Sequence, residues 1–379
     1  MSGRIIVFII VAALIFTGLN LYVGSRIFQW LEALFPGINK AIFICIYVFI
    51  ALTLILGNLP LPAALKGLLG WISSHWLGAF LYLLLFFLAA DLCWFTGKAL
   101  KLIPAALLQH IRFCFSTLAV LLAMAVVCYG LYNANQTKTV FYDISINKSM
   151  PAAMKIVFIA DLHLGGANSE QRLAGIVQKI NGLHPDIVCI AGDIFNDDYY
   201  SIRNPEAASA AFKSIEAAYG VYACFGNHDG GKSIGEMMDF LQRSNIRLLN
   251  DEYVVIDERL VVAGRLDSSP IRGFGGLHRK NFSEVTARLD TDLPLAVLDH
   301  NPANIGQYGG EVDLILCGHT HRGQLFPGSI VTGRMYTVDY GYYQKDANSP
   351  QCLVTQGVGV WMIPMRVGSS NEIVCVTLH

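Results

Sequence analysis

The sequence predicts an α/β domain carried behind a bundle of about four membrane-length helices. Three observations lead there. Apolar residues make up 54% of the 379-residue chain, and the excess lies before residue 133 in long runs. After residue 150 the texture changes to short apolar runs alternating with amphipathic stretches, the mark of an α/β domain. Side chains that bind metals then follow those short runs one after another.

The first 132 residues read as a transmembrane region with spans at 5–23, 41–59, 77–95 and 113–132. Each run approaches the ~20 apolar residues a bilayer crossing needs. Buried core helices would normally carry a polar face, which these lack. Arg4 could head a signal peptide, but the run after it is long for one and no small-x-small cleavage site follows. Lys and Arg in short loops set the orientation. Arg26, Lys40, Lys98, Lys101 and Arg112 fall on one side, and Arg4, Lys66, Lys138 and Lys148 on the other. The bias puts the first and third loops inside and both chain ends, with the second domain, outside the cytoplasm. Asp91, near the end of the third span beside Cys93, Trp94 and Lys98, reads as a hydrated interfacial carboxylate, and no second polar residue of matching depth suggests an ion pathway.

The nine cysteines contain no CxxC pair, so neither a zinc ribbon nor a thioredoxin-like motif is present. Most lie in apolar runs, where cysteine behaves as a small hydrophobe. A net charge of −1 leaves no electrostatic footprint for nucleic acid.

Residues 133–150 read as a linker with one possible strand at 139–144, and residues 151–379 as the second domain. Its short runs are 155–160, 187–191, 221–225, 295–298 and 314–317. Nearly all apolar, they look like strands buried on both faces. Ser169 to Leu183 puts Leu173, Ile176, Val177, Ile180 and Leu183 on one helical face. Asn204 followed by Pro205 starts another helix, and Ser233 with Glu236 has capping-box spacing before a third. Further strand-like runs lie at 253–256, 260–263, 353–356 and 372–378.

The polar residues fall at the ends of the first five runs. Asp161 and His163 follow the first, Asp193 the second, Asn227 and His228 the third, His300 the fourth, and His319 and His321 the fifth. Sites in open α/β sheets form at the carboxyl ends of strands, so five strands would deliver these groups to one edge. Gly192, Gly226 and Gly318 permit tight turns beside them. Carboxylates, imidazoles and one amide suit two adjacent divalent ions of Mn, Fe or Zn better than calcium, with Mn favoured. A two-metal centre is a device for cleaving phosphoesters. A lone DxH would mean little, but five blocks in this order are specific.

The order Asp161-x-His163, Gly192-Asp193, Gly226-Asn227-His228-Asp229, His300 and Gly318-His319-Thr320-His321 resembles the calcineurin-like metallophosphoesterase superfamily, over roughly residues 153–379. The run Gly318 to Gln324 and the tail with Gly359, Pro364, Arg366 and Glu372 resemble its membrane-attached or exported branch, typified by YkuE and YaeI. The resemblance implies a four-layer α/β/β/α sandwich. It also implies that Asp161, His163 and His321 bind one metal, that Asn227, His300 and His319 bind the other, and that Asp193 bridges both. A shared hydroxide would then attack a phosphomonoester or phosphodiester. His228 is implied as the acid that protonates the leaving oxygen, with Asp229 or another acid orienting it. Arg322 stands where the branch usually has glycine and could contact a substrate anion.

The expected activity is that of a membrane-anchored phosphohydrolase acting on lipid or envelope phosphoesters. A UDP-2,3-diacylglucosamine pyrophosphatase-like lipid hydrolase is the alternative, and it would need a cytoplasmic site. A catalytically inactive metal-binding scaffold is a third reading, although no ligand is missing.

Overall fold

A computed structural model describes residues 3–166, 169–289 and 292–379. The chain divides into two compact units, Met1–Gly130 and Leu131–His379.

Four helices begin the chain: α1 (Gly3–Leu34), α2 (Lys40–Leu56), α3 (Ala63–Ala99) and α4 (Leu108–Ala134). Three stretches, Ile10–Leu34, Ala64–Ala99 and Ala105–Ala134, are long and apolar enough to cross a membrane. The expected second span is shorter than read from sequence. Helix α2 has 17 residues and stops where Gly57 and then Pro60 follow. At 1.5 Å per residue it reaches ~25 Å, short of a ~30 Å hydrocarbon core. The third helix starts 14 residues before the expected Leu77, at Ala63. Gly67, Gly70 and Ser73 to His75 interrupt the apolar run without breaking the helix.

Asp91 is not a free hydrated carboxylate. Its oxygens accept the Tyr22 hydroxyl at 2.7 Å and pair with Arg26 at 2.9 Å. Arg26 also donates to Ser116 Oγ at 3.0 Å, joining α1, α3 and α4. Burying a charge is tolerable only when it is paired, which this triad achieves.

The second unit continues with β1 (Thr137–Ile144), β2 (Met154–Ile159), α5 (Ser169–Asn181), β3 (Ile187–Ala191), α6 (Pro205–Lys213) and β4 (Val221–Cys224). Next come α7 (Ile234–Arg243), β5 (Ile246–Leu248), β6 (Glu252–Ile256), β7 (Leu260–Gly264), α8 (Phe282–Thr286) and β8 (Leu295–Leu298). The chain ends with β9 (Leu314–Cys317), α9 (Gly328–Met335), β10 (Gly341–Tyr343), β11 (Gln351–Val354) and β12 (Asn371–Leu378). One sheet has the order β1-β12-β2-β3-β4-β5 and the other β10-β11-β9-β8-β7-β6. Strand β1, from the stretch read as a linker, pairs in parallel with β12 along the edge of the first sheet.

Side-chain alternation explains why nearly every strand residue is apolar. Ile156, Phe158, Cys189 and Ala191 face Val262, Ala296, Leu298, Leu314 and Leu316 of the other sheet. Their neighbours Val157, Ile159, Val188 and Ile190 pack on Leu173, Ile176, Phe212, Met237 and Phe240 of α5, α6 and α7. On the far side Val261, Val297 and Ile315 pack on Phe282 and Tyr308. The result is helices, two sheets and helical cover, the α/β/β/α order expected. At the start of α6, Asn204 accepts the Ala207 N–H at 3.0 Å and Pro205 opens the helix.

Strands β2, β3 and β4 run parallel in one sheet, and β7, β8 and β9 in the other. Their carboxyl ends therefore gather the loops that carry the polar residues.

Candidate metal centre

Asp161 and His163 follow β2, Asp193 follows β3, Asn227 and His228 follow β4, His300 follows β8, and His319 and His321 follow β9. The backbone turns sharply at these places. Asp161, His163, Asp193, His319 and His321 all have left-handed φ, between 48° and 73°. Residues with a Cβ avoid that region, and such strain collects where function fixes a side chain. Gly192, at φ 78°, lets the turns close: a Cβ there would lie 2.7 Å from both the Gly226 backbone and His300 Nδ1.

Two groups of ligating atoms result. Asp161, His163 and His321 form one, and Asp193, His300 and His319 the other, with atoms within 4.8 Å of one another in each. Asp193 Oδ2 lies 3.2 Å from His300 Nε2 and 3.8 Å from His163 Nε2, so this carboxylate reaches both groups. Asn227 Oδ1 lies 2.7 Å from His319 Nδ1, beside the second group. His163 Nε2 and His321 Nε2 face each other at 3.1 Å.

These residues fit divalent cations. His300 Nδ1 donates to the Ala191 carbonyl at 2.8 Å, which leaves a lone pair on Nε2. That Nε2 is buried without a hydrogen-bond partner. The Arg366 guanidinium, itself buried, meets Nδ1 of His321 at 3.0 Å and donates to the carbonyls of His321, Gln356 and Gly359, which holds the ring in place.

The electrostatics agree. Burial pushes His163 down to about 3 and His319 down to about 4. Burial and the nearby Arg366 charge take His321 well below its ordinary value. These three imidazoles keep neutral, lone-pair nitrogens at neutral pH. Burial lifts Asp161 to about 7, helped by the Asp193 charge. Burial would also lift Asp193, but the His300 charge 3.2 Å away holds it well below the carboxylate range. In return Asp193 holds His300 well above its ordinary value against burial. A cation bound beside Asp193 would take the place of a proton on Nε2 and leave that nitrogen its lone pair.

His228 stands beside the ligands. Its backbone N–H donates to Asp193 Oδ1 at 2.9 Å, and its Nδ1 lies 2.7 Å from Asp197 Oδ1. Burial lowers its pKa, but the Asp197 hydrogen bond and the Asp193 charge raise it overall. Asp229 does not orient this ring. Fully buried, it accepts the N–H groups of Phe195 at 2.7 Å, Gly226 at 2.8 Å and Ile194 at 3.2 Å. It braces the two ligand turns from behind. Asp197 is the residue that the sequence reading missed. The signal available was an Asn-Asp-Asp run closing the loop after Asp193.

Arg322 lies in the turn between His321 and Gly323, with its guanidinium 4.6 Å from the centre of the Tyr340 ring. Asp299, before His300, is held by Arg279 Nη2 at 2.6 Å and by the Tyr308 hydroxyl at 2.5 Å, which fixes the His300 turn.

Comparison with known proteins places this geometry. The profile of the calcineurin-like phosphoesterases matches residues 154–323. A zebrafish transmembrane protein with metallophosphoesterase domain is 29% identical over 279 residues, covering 69% of this chain and 62% of its own length. The Bacillus subtilis metallophosphoesterase YkuE is 28% identical over 233 residues, covering 59% of this chain and 78% of its own. A metallophosphoesterase of Aquifex aeolicus is 30% identical over 226 residues, covering 59% of this chain and 85% of its own. With its strand-end ligands, its two sheets and these relatives, the chain belongs to the calcineurin-like phosphoesterase family.

Proposed function

We propose that the chain is a membrane-anchored phosphohydrolase that cleaves phosphomonoesters or phosphodiesters with two divalent metals. The observation that supports this best is the pair of three-ligand groups with the Asp193 carboxylate reaching both. Asp161, His163 and His321 would hold one ion, Asn227, His300 and His319 the other, and Asp193 would be shared. Bound ions would polarise a phosphoryl oxygen and lower the pKa of the attacking water. The imidazole, carboxylate and amide donors suit Mn, Fe or Zn, and Mn is the first to test.

The protein groups do the rest. Asp193 accepts from the His228 backbone and so couples the ligand set to the acid loop. His228, its pKa raised by the Asp197 hydrogen bond, donates a proton to the leaving oxygen as the P–O bond breaks. Arg322 stands in reserve as an anion contact from the ligand turn. Turnover of p-nitrophenyl phosphate and its bis ester by the metal-loaded full chain tests this. Metal binding without cleavage of either ester would favour the inactive scaffold.

The substrate reading extends to lipid or envelope esters, because three membrane-length helices tether the site. An extracytoplasmic domain is the orientation this reading takes, with α2 crossing the membrane beside the other three helices. A reporter fused after His379 is expected to be active only outside. A cytoplasmic signal would reverse the orientation and bring back the UDP-2,3-diacylglucosamine pyrophosphatase-like reading.

A further inference from the structure

We infer that the helical unit holds a phospholipid headgroup, a phosphate bearing a primary amine, in a cavity between α1 and α4. The cavity lies within the first unit, and its occupancy does not depend on the hydrolase reading.

Helical spacing builds its two walls. Arg26, Gln29, Trp30 and Ala33 stand at i, i+3, i+4 and i+7 on one face of α1. Gln109, Arg112, Phe113 and Ser116 repeat that spacing on α4. Arg26 joins the walls at one end by donating to Ser116 Oγ at 3.0 Å, while Ala33 and Gln109 are exposed at the other. The space between them is about 330 Å³. At ~30 Å³ for each water-sized group, that holds about ten non-hydrogen atoms, the scale of a phosphate with a short amino-alcohol arm.

The walls carry cationic donors that the protein leaves unused. Arg26 is 4% exposed and gives its Nη groups to Asp91, Gln29 and Ser116, yet its Nε is buried without an acceptor. Arg112 places its guanidinium 5.1 Å from the centre of the Trp94 ring, and its Nε is likewise buried without an acceptor. Among the described residues no carboxylate pairs with Arg112, since Asp91 is engaged by Arg26 and Tyr22. A buried donor left unpaired is costly, and most so on a charged group. Phosphate oxygens match the guanidinium edge and would take up both Nε donors.

The opposite charge lies on the same cavity. Glu32 lines it, is exposed, and has no cation paired to it among the described residues. A wholly anionic headgroup would meet this carboxylate unfavourably. A quaternary amine has no proton to donate to it, whereas a primary ammonium has three. Two features favour a lipid over free phosphate. Both walls belong to membrane-length apolar stretches. Tryptophan indoles sit at headgroup level in bilayers, and Trp30 lines the cavity with its Nε1 donating to Thr117 at 3.0 Å.

Native mass spectrometry of the detergent-solubilised full chain tests this, with dioleoyl phosphatidylethanolamine, phosphatidylcholine and phosphatidylglycerol in equal amounts. The ethanolamine lipid is expected to be retained at least ~tenfold over each of the others, the scale of one charge-assisted hydrogen bond. Arg112→Gln is expected to reduce that adduct about tenfold by the same reasoning, and Lys101→Gln, outside the cavity, to leave it unchanged. Glu32 is exposed, so Glu32→Gln is expected to fold normally and to lose the preference over phosphatidylglycerol. Equal retention of the three lipids overturns the inference, as do ethanolamine adducts unchanged in both Arg112→Gln and Glu32→Gln. Displacement of the lipid by excess inorganic phosphate would assign the cavity to the free ion and overturn it too.

Discussion

Replacing Asp193 with asparagine is expected to lower phosphoester turnover by at least ~10³-fold, because several kcal/mol of transition-state stabilisation depend on the metals it holds. The carboxylate lies within 4 Å of ligand nitrogens in both groups, His163 and His300. An amide keeps the shape and loses the charge. His300 then loses the partner that holds its pKa up, and its buried Nε2 has no anion beside it. Both ions are expected to weaken together, whereas a change at Asp161 or His319 touches one group more than the other. The three hydrophobic clusters around the sheets do not include Asp193, so the fold is expected to survive. Metal content and circular dichroism on the same preparation check this. Full turnover with normal metal content would contradict the shared role of Asp193.

The second large effect is expected at the His228–Asp197 pair. Removing a general acid costs ~10²–10⁴-fold, which is the range expected for His228→Ala. Asp197→Asn gives a more diagnostic result. The hydrogen bond at 2.7 Å and the Asp197 charge raise the His228 pKa. A raised pKa keeps the acid form present to higher pH, and loss of the carboxylate lowers it. The alkaline limb of kcat/KM is therefore expected to move to lower pH in Asp197→Asn, with the acid limb and metal content little changed. An unmoved alkaline limb would show that His228 donates no proton in the rate-determining step. Asp229→Asn is expected to act differently, by loosening the turns at Ile194, Phe195 and Gly226 and costing stability and metal affinity alike.

Much of this site was legible in the sequence because each ligand follows a short apolar run, and parallel strands put all such ends on one edge. Asp161, His163, Asp193, Asn227, His300, His319 and His321 could be placed by that rule before any coordinates. Asp197 could not, since its contact with His228 depends on the path of a loop that turns back through a left-handed residue. The sequence neighbour Asp229 was the natural partner for His228, yet it points away because three backbone N–H groups claim its carboxylate. The membrane region shows the same limit. Long apolar runs were visible, but the Arg26–Asp91 pair links residues 65 positions apart on different helices, and no periodicity within one helix reveals it. Helix α3 begins before the 77–95 span read from the sequence because scattered glycines and serines lower hydropathy without ending a helix.

The central claim is a two-metal phosphohydrolase, and metal stoichiometry measured together with turnover tests it most directly. The full chain is stripped with a chelator, titrated with Mn and assayed on bis-p-nitrophenyl phosphate at each step. The expected result is two ions per chain, with turnover appearing as the second is bound and absent from Asp193→Asn. One ion at saturation, or turnover equal to that of Asp193→Asn with both ions bound, would contradict it.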